Sequence, residues 1–70
     1  MNRTKVTSSN IQSVGYDAST KRLEVEFAGG AVYSYEDVTP EQHNDMMIAP
    51  SVGSYFAKNI RKTHKGVRES

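Results

Sequence analysis

Five cations fall between residues 58 and 68, namely Lys58, Arg61, Lys62, Lys65 and Arg68, with His64 among them and no acid before Glu69. Fixed positive charge at this density suits phosphate recognition, because each phosphate neutralised releases counterions and binding strengthens at low salt. A solvated basic tail would carry the same residues, so both readings stand. Tyrosines at 16, 33, 35 and 55 add flat faces on which bases could stack, and charge with aromatic faces is how single-stranded RNA is held. Catalytic chemistry finds less support. His43 and His64 are the only histidines, there is no cysteine, and no nucleophile elbow, Walker loop, dinucleotide fingerprint or HExxH occurs. His43, beside Asn44 and Asp45, reads as a partly buried residue of a short helix rather than a base. Glu24 and Glu26 share one side of a strand about 7 Å apart, which alternation alone produces. The chain is therefore expected to be no enzyme and to hold no cofactor or metal.

The elements that must position these groups are organised around Leu23 to Tyr35. Leu23, Val25 and Phe27 alternate with Glu24 and Glu26 at the period of a half-buried strand, and Gly29-Gly30 supplies a turn tolerant of positive φ. Two registers are open. A two-residue Gly29-Gly30 loop puts Tyr33 and Tyr35 on the glutamate side as an exposed aromatic platform. A three-residue loop, Ala28 to Gly30 with Gly30 left-handed, pairs Phe27 with Ala31, Val25 with Tyr33 and Leu23 with Tyr35. The second is preferred because it gathers the large rings on the apolar face, where each buries on the order of 150–250 Å².

Upstream, Asn10 to Tyr16 reads as a strand in which Val14 and Tyr16 face the core, if Ala18 to Lys21 form a loop pairing Tyr16 with Leu23. Ile11 is out of phase unless a bulge near Gln12 or Ser13 returns it. Asp17 before Ala-Ser-Thr is turn chemistry. Downstream, Thr39-Pro40-Glu41-Gln42 is a helix start: hydroxyl cap, fixed φ, an acid at the positive end and a reciprocal cap from Gln42. Met46 and Met47 give that helix an apolar side, and Pro50 ends it near Ala49. Ser51 caps a second helix, with Val52, Tyr55, Phe56 and Ile60 on one face and Lys58, Arg61, Lys62 and Lys65 opposite or flanking. Gly53 in its first turn reads as a close-packing position in preference to an anion site.

With 70 residues, 36% hydrophobic and 24% charged, the composition is that of one soluble domain. Such a chain buries only about 60% of the surface it exposes when unfolded, so a partner or self-association would help it. Seven acids lie between Asp17 and Asp45 against Lys21 and Arg22, so the charge is polarised along the chain. No apolar run approaches about 18 residues and nothing before Lys5 resembles a secretory signal, which points to the cytoplasm and away from a membrane. The expected organisation is a flexible lead-in at 1–9, one domain at 10–63 and a flexible basic tail at 64–70. The expected fold is α+β: a three-stranded antiparallel β-meander with two short C-terminal helices packed on one face.

The ordered set Ser8-Ser9-Asn10-Ile11, Val14-Gly15-Tyr16-Asp17, Leu23 to Phe27, Gly30, Tyr33-Ser34-Tyr35, Val38, Pro40, Ala49, Ser51, Gly53, Phe56, Ile60 and Arg61 resembles the KTSC domain. That family occurs alone in bacterial and phage proteins and at the C-terminal end of some lysyl-tRNA synthetases. The resemblance implies little about activity, although the synthetase fusion suggests RNA. Thr39 between Val38 and Pro40, and His64 where an aromatic often stands, depart from the pattern. Together these readings lead to a small non-catalytic binding module for an unknown protein partner or for self-association. RNA or nucleotide binding through Lys58, Arg61, Lys62 and Lys65 is the alternative, and a small-molecule sponge with a tyrosine-lined pocket is a remoter one. Tyr16, Tyr33, Tyr35, Gly53 and Phe56 belong to the family pattern and are read as structural.

Overall fold

The computed structural model describes residues 3–6, 8 and 10–70. Ser9 of the family pattern and part of the expected 1–9 lead-in lie outside the described residues. Alternation of apolar and acidic residues makes β3 (Arg22–Phe27) the central strand, with Leu23 and Val25 fully buried. β2 (Ile11–Asp17) pairs with it so that Val14 opposes Val25 and Tyr16 opposes Leu23. Ile11 opposes Phe27 and Ser13 opposes Glu26, leaving Gln12 as the extra residue of a bulge that turns Ile11 into the core. On the other side β4 (Val32–Tyr35) takes the three-residue-loop register, with Leu23 opposite Tyr35 and Val25 opposite Tyr33. The Phe27 amide donates to the Ala31 carbonyl at 2.8 Å and closes that loop. Both Gly29 and Gly30, not Gly30 alone, adopt φ +98°, a region barred to most side chains.

The sheet has five strands where three were expected. β1 (Arg3–Lys5) pairs with β2, β5 (Gly66–Arg68) pairs with β4, and the order is β1-β2-β3-β4-β5, antiparallel throughout. The segment read as a tail at 64–70 thus returns to the sheet, and Arg3–Lys5 of the lead-in joins it as well. Both added strands are three residues long and exposed throughout, so they pair by backbone groups and carry no apolar alternation that a sequence pattern could reveal.

α1 (Pro40–Ile48) and α2 (Val52–Asn59) cover one face of the sheet. The Thr39 hydroxyl accepts from the Gln42 amide and the Gln42 side chain accepts from the Thr39 amide, a complete capping box. The Ser51 hydroxyl accepts from the Ser54 amide and starts α2. Val38, Met46, Val52, Phe56 and Ile60 meet Ile11, Val14, Leu23, Val25 and Tyr35 in one core. A Cβ on Gly53 would come within 2.9 Å of the Ser8 hydroxyl, so the glycine answers to packing between α2 and the strand connection. The opposite face of the sheet is polar and cross-linked: Arg3 to Glu24 at 2.7 Å, Ser13 to Glu26 at 2.7 Å, and Arg22 to Glu69 at 3.0 Å.

Replacing Thr39 by Ala removes the hydroxyl acceptor of the capping box and is expected to cost about 1 kcal/mol, whereas Leu23→Ala opens the centre of the core and costs roughly 2–5 kcal/mol. Urea unfolding of the two variants should rank them in that order; equal midpoints would contradict the assignment of Leu23 to the core.

Candidate functional site

The covering helices are short and the sheet is five strands wide, so the helical face is left open toward β4 and β5. There a groove of about 470 Å³ is lined by Phe27, Ala31, Tyr33, Tyr35, Arg61 and Gly66. Its aromatic floor follows from register. Phe27 at the end of β3, Tyr33 and Tyr35 point to the same side, and Phe56 of α2 rises between them. Phe27 meets Tyr33 edge-on with ring centroids 5.7 Å apart, Phe56 meets Phe27 at 5.7 Å and Tyr35 at 5.2 Å, each at a steep interplanar angle. Edge-to-face packing of this kind fixes ring orientation. Tyr35 is 4% exposed, while Phe27 and Tyr33 are half-buried and keep part of their surface toward the groove. Burial pushes the Tyr35 phenol above its ordinary pKa, opposed by the nearby Arg61 charge, so at neutral pH it stays protonated and able to donate.

Arg61 follows the C-cap Ile60, its amide donating to the Phe56 carbonyl at 2.9 Å, and its side chain lies at the groove rim. Lys58, Lys62 and Lys65 are exposed and do not line the groove. Lys58 instead borders a shallow apolar depression with Ala49, Pro50 and Tyr55. Of the four candidate cations the structure therefore brings only Arg61 to the tyrosines. Arg68, opposite Tyr33 in the β4–β5 register, adds a second guanidinium on the same side of the sheet. Gly66 escaped the sequence reading, and Arg68 entered it only as one of five clustered cations, because their strand has no pattern to place them beside the tyrosines; Phe27 and Ala31 could have been found from the three-residue loop that pairs them.

The remaining candidates lie elsewhere. Tyr16 stacks on His43 at 4.4 Å and 11°, and its hydroxyl donates to the Val38 carbonyl, tying α1 to the sheet. Burial raises the Tyr16 pKa and depresses that of His43. His64 places Nδ1 2.9 Å from the Glu36 carbonyl. The Asp17 carboxylate accepts from the Ser19 hydroxyl and amide, which hold it below the usual range. Among the described residues no three His, Asp or Glu side chains gather as a metal site, and no helix is long and apolar enough to cross a membrane.

A five-stranded meander with two helices on one face and an aromatic groove at their margin defines a small α+β domain. A model of the KTSC domain matches residues 7–64, and the chain belongs to the KTSC domain family. An uncharacterized protein of Stutzerimonas stutzeri is 41% identical over 64 residues, 91% of this chain and 90% of that protein. The lysine–tRNA ligase of Nostoc punctiforme is 38% identical over 61 residues, 87% of this chain but 11% of the ligase. A crystal structure of a KTSC domain protein from Yersinia pestis superposes with a TM-score of 0.91 at 33% identity, covering 99% of this chain and 97% of that one.

His43 carries a pH test of the α1 contact. Its folded pKa is depressed, so the unfolded chain takes up the proton first; stability is complete above about pH 6.5 and falls as pH drops through the lower folded value. His43→Phe keeps a ring over Tyr16 but removes the titration. The loss of thermal midpoint between about pH 7.5 and 5.5 should therefore shrink in His43→Phe; an equal loss in both proteins would contradict the partly buried neutral imidazole.

Proposed function

We propose that this KTSC domain is a non-catalytic binding module and that its ligand is single-stranded RNA, one base lying against Phe27 and Tyr33 while Arg61 meets a phosphate. The observation that supports this most is the groove itself: exposed ring surface and a guanidinium share one concave site, whereas the sequence offered only a basic run and separate tyrosines. Base stacking on such rings is tolerant of sequence and worth roughly 1–3 kcal/mol per base. Lys62, Lys65 and Arg68 would extend the positive field along the strand without touching the base. The acids Glu24 and Glu26 lie on the opposite face of the sheet, tied to Arg3 and Ser13, so they do not oppose a phosphate at the groove. Relatives that carry this region within a lysine–tRNA ligase fit a module that meets RNA.

A protein partner or self-association is the second reading, favoured by Ile48, which is 72% exposed on α1. A free nucleotide or other small planar anion in the groove is a third, since its volume lies within the range of small-molecule sites.

Titration with an eight-nucleotide single-stranded RNA at low salt separates them. Binding should weaken as salt rises, Tyr33→Ala should cost about 1–3 kcal/mol, and Arg61→Ala should lower the slope of log affinity against log salt by about 0.7. No binding, or binding unchanged in Arg61→Ala, removes the RNA reading. A nucleoside monophosphate binding as tightly as the RNA would favour the small-molecule reading, and a concentration-dependent mass in light scattering the self-association reading.

A further inference from the structure

One wall of the groove is unlike the others. Phe27, Tyr33 and Tyr35 are set by strands that share the core and Arg61 by the turn after α2, but Gly66 belongs to β5, which among the described residues pairs with β4 alone and has every residue exposed. The stretch matched by the KTSC model ends at residue 64, before this strand begins. Three features hold it down. Tyr35 lies across Gly66 so closely that a Cβ there would come within 2.7 Å of the ring edge, and Tyr35 itself is fixed against Phe56. Beyond β5 the Glu69 carboxylate accepts from the Ser34 hydroxyl at 2.6 Å and pairs with Arg22 at 3.0 Å, on the face away from the groove. The Glu69 amide donates to the Val32 carbonyl at 2.7 Å, and the Val32 amide donates to the Ser70 carbonyl at 3.2 Å. The strand buries no large apolar side chain of its own, since Val67 is 50% exposed, and it covers only the ring edge of Tyr35. A segment held by edge hydrogen bonds, one ring contact and the two partners of a single carboxylate, with no side chain of its own in the core, opens at lower free energy than a core strand.

We infer that β5 is a movable wall of the groove: it docks through Glu69, opens while the rest of the domain stays folded, and is held closed by a ligand in the groove. The last clause rests on the RNA reading; the first two do not. When β5 leaves, the groove loses its Gly66 side and Arg68 leaves the flank of Tyr33, so the site is complete only in the docked state. Any ligand that touches this wall then favours docking by mass action.

The Val32 amide reports on the wall from a residue that none of the substitutions alters. Amide exchange of the full chain should show Val32 exchanging faster than the amides of β3, and Glu69→Ala should accelerate it about tenfold with β3 unchanged. Gly66→Ala, which sets a methyl against the Tyr35 ring, should do the same by a separate route. Saturation with the eight-nucleotide RNA, at about ten times its dissociation constant, should slow Val32 exchange by about tenfold. Val32 and β3 exchanging together in all three proteins would overturn the movable wall. RNA that binds without slowing Val32 would overturn the coupling and leave the RNA reading intact; absence of RNA binding would remove that reading while the two substitutions still decide whether the wall moves.

Discussion

The constraint on which the rest of this structure depends is the register of β3 on β4. A strand shifted by one residue turns all its side chains to the other face, so the choice of a three-residue loop at Ala28 to Gly30 decides where two tyrosines point. With Val25 opposite Tyr33 and Leu23 opposite Tyr35, both phenols join the apolar face, Phe56 has rings to pack against, and the glutamates are left together on the other side. The two glycines at φ +98° make that loop possible.

From this register the site follows by a mismatch of widths. Two helices of nine and eight residues cover the middle of the sheet, and the margin at β4 and β5 stays open with half-buried rings in it. Such surface is costly in a domain this small, where little apolar area can be spared from the core. Arg61 sits at that margin because α2 ends at Asn59 and the next turn carries it back over the sheet. Charge is sorted across the sheet in the same way, with Glu24 and Glu69 paired to Arg3 and Arg22 on one face and the guanidinium of Arg61, without an ion pair among the described residues, on the other.

Much of this was legible in the sequence where a physical pattern existed. The alternation of Leu23, Val25 and Phe27, the bulge that rescues Ile11, the Thr39 to Gln42 box and the Ser51 cap all appear where residue chemistry puts them. β1 and β5 were not legible, because Arg3-Thr4-Lys5 and Gly66-Val67-Arg68 contribute backbone pairing and little burial. Proximity in sequence does not make the basic residues one surface: Lys58 lies one turn before Arg61 yet borders a different depression, and of the four candidates Arg61 lines the groove. The groove is a property of how strands and helices end, which residue pattern does not encode, and it needed coordinates to be seen.

Hα–Hα proximities across the hairpin test the register most directly. Closely approached, non-hydrogen-bonded pairs in the register described are Glu24 with Ser34 and Glu26 with Val32, and strong nuclear Overhauser contacts are expected between the Hα atoms of each pair. Strong contacts from Val25 to Ser34 and from Phe27 to Val32 would mean the two-residue loop, with Tyr33 and Tyr35 on the glutamate face, and would contradict the groove and everything drawn from it.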